Sequence, residues 1–103
     1  MNNVIYKYQI ENTPEQSIML PKGAKILSVG TQNGRDVSMW AAVNPNNELE
    51  ERRLIVIETG VVRRRIKMCC GQTEEVTLSF DESRFIGTVL LFEGRYVLHI
   101  FEA

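Results

Sequence analysis

Histidine and cysteine are scarce in this chain of 103 residues, which holds one of the first and two of the second. The cysteines, Cys69 and Cys70, are neighbours. A disulfide between adjacent residues is strained, so the pair cannot staple distant segments, which fits a reducing compartment. A structural zinc site needs about four ligands, commonly as spaced pairs, so no metal site is expected. With His99 as the only imidazole, a Ser-His-Asp arrangement cannot be located by spacing. No apolar run approaches the ~18 residues of a membrane helix. The start, Met1-Asn2-Asn3-Val4-Ile5-Tyr6-Lys7, lacks the basic region and long apolar stretch of a signal peptide. A net charge of −1 gives no global electrostatic case for nucleic-acid or membrane binding. The seven glycines form neither a GxxxxGK[ST] nor a GxGxxG string. These absences lead to the expectation of a cytoplasmic protein with no catalytic residues and no cofactor.

What is present is a rhythm. Short β-branched and aromatic runs alternate with glycine-containing turns from end to end. The strands read as Val4 to Ile10, Ser17 to Leu20, Lys25 to Gln32, Asp36 to Val43, Leu54 to Glu58, Val61 to Cys69, Glu75 to Phe80, Phe85 to Phe92 and Arg95 to Glu102. Glu48 to Arg53 reads as a short helical turn or the approach to a strand. Asn33-Gly34 is the best two-residue hairpin signal, because a type I′ turn needs φ > 0 at both centres, and residues 25–43 read as a β-hairpin. A second hairpin is expected across Glu93-Gly94. Its two strands are apolar on both faces, as in the centre of a sandwich or at an oligomer interface. The 44% hydrophobic and 24% charged content is ordinary for a soluble domain. The prediction is one all-β domain over 1–103, an antiparallel β-sandwich or partly open β-barrel of about seven to nine short strands.

Few side chains stand out chemically. Arg63, Arg65 and Lys67 alternate within the run Arg63-Arg64-Arg65-Ile66-Lys67 and share one face of a strand. They are candidates for an anion contact or an acidic partner; the plainer alternative is a solvated face balanced by nearby glutamates. A thiol beside this run would be activated by the cations. Tyr6 and Tyr8 are candidates for a binding surface or for cross-strand packing. His99 shares a face with Val97 and Phe101 and is a ligand contact, a general base, or a packed histidine with one ring nitrogen bonded. Trp40 reads as a core anchor of the central hairpin.

Several segments together carry a resemblance. They are Ile5-Tyr6-Lys7-Tyr8, Leu20-Pro21-Lys22-Gly23-Ala24-Lys25-Ile26-Leu27-Ser28-Val29, Gln32-Asn33-Gly34, Met39-Trp40-Ala41-Ala42-Val43, Glu58-Thr59-Gly60, Phe85-Ile86-Gly87-Thr88-Val89 and His99-Ile100-Phe101-Glu102. The chain resembles a family of small, functionally uncharacterised proteins carried by tailed bacteriophages and prophages. The family pattern has a glycine before the Thr-Gly step and a histidine after it, where this chain has Glu58 and Val61. Residues 61–84 do not match that pattern and read as either an insertion or a remodelled segment. The resemblance implies a phage origin and a place in the host cytoplasm. The resemblance gives no activity. The expected role is an accessory one by binding: a homo-oligomer, dimer or higher, formed through the two-sided apolar strands, that engages a host protein or blocks a host defence, as other small phage proteins do. The alternative is a β-barrel that binds a small ligand or single-stranded nucleic acid through Arg63, Arg65, Lys67 and the tyrosines.

Overall fold

The computed structural model describes residues 1–60, 71 and 79–103, together with the backbone of 63–67 and 73–77. The chain order is β1 (Val4–Ile10), β2 (Glu15–Pro21), β3 (Lys25–Gly30), β4 (Val37–Val43), β5 (Leu49–Glu58), β6 (Arg63–Lys67), β7 (Thr73–Thr77), a 3-10 turn (Glu82–Arg84), β8 (Phe85–Leu91) and β9 (Tyr96–Glu102). Every pairing between them is antiparallel. A three-stranded sheet has the order β1-β4-β3, a four-stranded sheet the order β2-β5-β9-β8, and β6-β7 form a separate two-stranded ribbon.

The two larger sheets bury one face each in a shared core. Strand alternation sends Ile10, Val37, Met39, Ala41 and Val43 inward from the first sheet. Leu20, Leu54, Val56, Val89, Leu91, Leu98 and Ile100 come from the second. The sheets do not close on each other by hydrogen bonding, so the fold is the expected sandwich and not a barrel.

Three local readings are corrected. The 25–43 hairpin forms, but not through a type I′ turn: at its tip only Gly34 takes a positive φ, of 77°. Asn33 instead caps the loop, its Oδ1 accepting from the backbone N–H groups of Arg35 and Asp36 at 2.9 and 2.8 Å. Consecutive positive φ values occur at the other hairpin, where Phe92 (52°), Glu93 (58°) and Gly94 (86°) are all left-handed. The Phe92 N–H donates to the Gly34 carbonyl at 2.7 Å, which ties the two loops together. The charged stretch before Leu54 is neither helix nor approach; it is the first half of β5, paired with β2. Trp40 points away from the core, on the opposite face from Met39 and Ala41, and its ring lies 3.5 Å from where a Cβ on Gly30 would sit.

Strands β3 and β8 are edge strands of different sheets and meet along one side of the sandwich. A Cβ added at Gly87 would lie 2.8 Å from Val29 Cγ2, so glycine permits this approach. Each strand carries a bulge beside that contact, between Ile26 and Ser28 in β3 and between Phe85 and Gly87 in β8.

Candidate functional site

The outer face of the four-stranded sheet is built by the same alternation that fills the core. The residues between the core positions of β5, β8 and β9 are Ile55, Ile57, Val97, His99, Phe101, Thr88 and Leu90, and the ladder sets them side by side. This face is apolar as well. Ile57 and Phe101 are 6% and 7% exposed although they point away from the core. Phe101 is covered by Phe80 and Phe85, whose ring centroids lie 4.5 and 5.3 Å from its own. Between those two phenylalanines runs the 3-10 turn, capped by Asp81. The Asp81 carboxylate accepts from the Ser83 hydroxyl at 2.6 Å and the Ser83 N–H at 2.9 Å. These hydrogen bonds hold the carboxyl below its usual pKa.

His99 sits in the middle of this face. Its Nε2 is 2.7 Å from Thr59 Oγ1 and its Nδ1 is 2.9 Å from Thr88 Oγ1. Threonine hydroxyls both donate and accept, so either tautomer is satisfied. Both ring nitrogens are therefore occupied, one more than the sequence suggested. Ile57, Glu58, Thr59, Gly60, Phe80, His99 and Phe101 line an open cavity of about 310 Å³.

The charged residues of the same face that lie toward β2 have partners: one ion pair and one hydrogen bond from a serine. Arg53 Nη2 is 3.4 Å from Glu15 Oε2, and Ser17 Oγ donates to Glu51 Oε1 at 2.9 Å. The apolar part includes Leu90 at 56% exposed and Phe85 at 50%, with Arg84 next to Phe85 in the chain and Glu58 at the cavity beside His99.

The remaining candidates do not gather with His99. Tyr6 and Tyr8 pair with Ala41 and Met39, so they lie on the core-facing side of edge strand β1. Tyr8 packs against the core, whereas Tyr6 stays 42% exposed where the sandwich is open. Burial, and then the neighbouring Tyr6, push the Tyr8 phenol above its ordinary pKa. The ladder places Arg63, Arg65 and Lys67 on β6, opposite Thr77, Glu75 and Thr73. Their side chains, and Cys69 and Cys70, lie outside the described residues. Residues 75–77 fall within β7, but the expected strand does not extend to Phe80.

Sequence reasoning missed one arrangement, at the β3/β8 side. The Arg52 guanidinium is held by Glu102 through Nε and through Nη2 (3.1 Å to Oε1), and Nη1 donates to the Ala24 carbonyl at 2.8 Å. Glu50 lies 3.5 Å away. The hydrogen bond to Glu102 raises the Arg52 pKa further, so the charge is permanent. No spacing signal announces a pair fifty residues apart; only the β5-β9 register brings it together.

Among the described residues no helix is long and apolar enough to cross a membrane. No curated protein and no solved structure matches the chain. A family model does: the chain belongs to the domain of unknown function DUF7352, which spans residues 1–103.

Proposed function

We propose that this DUF7352 member is a phage-borne binding protein that works as a homo-oligomer, assembled through the outer face of its four-stranded sheet. The observation that carries the reading is the two-sided apolarity of that sheet. One face makes the core, and the other holds a second apolar cluster around Phe101 with Leu90, Phe80 and Phe85 exposed. Isolated exposed apolar residues need no explanation, but several on one face of one sheet do. A second copy suits it because a twofold contact pairs a surface with itself. The charged residues of this face lie toward β2, where Arg53 pairs with Glu15, so the phenylalanine cluster can meet a second copy without burying that pair. The resemblance to phage proteins supports an eventual partner in the host cytoplasm.

Native mass spectrometry on the full chain, recovered gently from bacterial lysate, tests the reading. The expected result is a homo-oligomer, with a stoichiometric host protein where one is present. A monomer at micromolar concentration overturns it. Retained nucleic acid would instead favour the reading centred on Arg63, Arg65 and Lys67, and its binding would weaken steeply with salt.

A further inference from the structure

The β3/β8 side of the sandwich holds a groove of about 450 Å³, within the ~300–1,000 Å³ of small-molecule sites. Its origin is local. Gly87 and Val29 pinch the two edge strands together, and the bulges beside that contact splay them apart. A bulge re-aims the residue it leaves unpaired. Here those residues are Leu27 and Ile86, and both line the groove.

The lining divides by chemistry. Ile26, Leu27, Phe85 and Ile86 are apolar, and Leu27 is 44% exposed. The charged lining is three cations, Lys25, Arg52 and Arg84, with one carboxylate, Glu102. Both oxygens of Glu102 already accept from Arg52. That pair forms a fixed, internally matched part of the wall, while Lys25 and Arg84 are both exposed. A cavity that is positive in a chain of net charge −1 selects an anion. Its apolar wall requires that the anion carry an apolar portion. An added peptide strand fits less well, because a bulged edge offers no regular ladder to extend.

We propose that this groove binds a small amphipathic anion. Lys25 and Arg84 receive an acidic head group, a carboxylate or a phosphate monoester, and Ile26, Leu27 and Ile86 receive a short apolar tail. The proposal does not depend on self-association: Lys25, Ile26 and Leu27 lie on β3, in the other sheet, so either idea can fail alone, although Arg84 and Phe85 border both surfaces.

The test is a methyl-resolved NMR titration of the full chain, with all compounds below their aggregation concentrations. The probes are octanoate and octyl phosphate, with octanol as the control lacking an acid and inorganic phosphate as the control lacking a tail. Saturable shifts at Ile26, Leu27 and Ile86 with at least one octyl anion are expected, and the tighter of the two identifies the head group. Octanol and inorganic phosphate should bind at least about tenfold more weakly, since charge-assisted hydrogen bonds and tail burial each contribute that much. The double variant Lys25→Glu/Arg84→Glu should lose the shifts while the Leu98 and Ile100 methyls keep their positions, which verifies the fold. The proposal is overturned if neither octyl anion shifts these methyls, if octanol binds as tightly as both anions, or if the folded double variant binds unchanged.

Discussion

The two larger sheets bury comparable faces in one core, yet their outer faces differ. The three-stranded sheet turns Lys7, Gln9, Ser28, Ser38 and Lys25 outward, relieved by Ile5 and Trp40. The four-stranded sheet turns out Ile55, Ile57, Val97, Phe101 and Leu90. A solvated sheet needs one apolar face. The first sheet obeys that rule and the second departs from it. The departure is strongest on β5, β8 and β9; β2 contributes Glu15 and Ser17 on the same side, followed by Met19 at 51% exposed. The lesson is that two-sided apolar strands do not all belong to a core: β9 is central in its sheet, but β8 is an edge strand.

Breaking the inner face should cost most. Leu98→Ala removes a fully buried side chain from the centre of the core and should lower unfolding free energy by about 2–5 kcal/mol. The outer cluster should be less demanding. Phe101→Leu loses the two aromatic contacts but keeps an apolar side chain, at about 1 kcal/mol. Urea denaturation of both variants measures the difference; equal losses would mean that the outer cluster is a second core and not a surface.

The join between the sheets sharpens the comparison next. Gly87→Ala drives a methyl against Val29 and should destabilise by about 1–3 kcal/mol. Val29→Ala in the same chain should recover part of that loss, a non-additivity that a double-mutant cycle reads directly. Strict additivity would show that the two strands do not meet as described.

A smaller effect concerns the cover over Phe101. Asp81 has a lowered pKa in the folded chain. The cap therefore stabilises fully above the unfolded-state pKa and is lost as pH falls through the folded value. The Ser83 amide resonance should titrate with a midpoint below the ordinary aspartate range, and Asp81→Asn should remove that transition. A midpoint at the ordinary value would contradict the capping geometry.

The all-β class and the sandwich were legible in the alternation of single residues, because a period of two is local information. So was the 25–43 hairpin, although its turn was not. Asn33-Gly34 satisfies the local rule, yet the Asn33 side chain has its own use as a cap, and tertiary ties at Phe92 place the left-handed residues elsewhere. The first half of β5 was obscured because Glu50, Arg52 and their neighbours read as solvated charge, while pairing with β2 and Glu102 makes them strand. His99 could be placed on a face by counting, but its partners Thr59 and Thr88 required the register of β5, β9 and β8. Lys25 and Arg84 carried no signal at all. They line one groove only because two bulges open one side of the sandwich.

The central claim is that the outer face of the four-stranded sheet is the working surface and that of the three-stranded sheet is not. Sedimentation equilibrium of the wild-type chain, Leu90→Glu and Gln9→Glu tests it most directly. Leu90 and Gln9 are exposed on the opposite outer faces, so both variants should fold. The account predicts that wild type and Gln9→Glu assemble alike and that Leu90→Glu sediments as a monomer. A monomeric wild type, or a Leu90→Glu chain that assembles as well as the wild type, would contradict it.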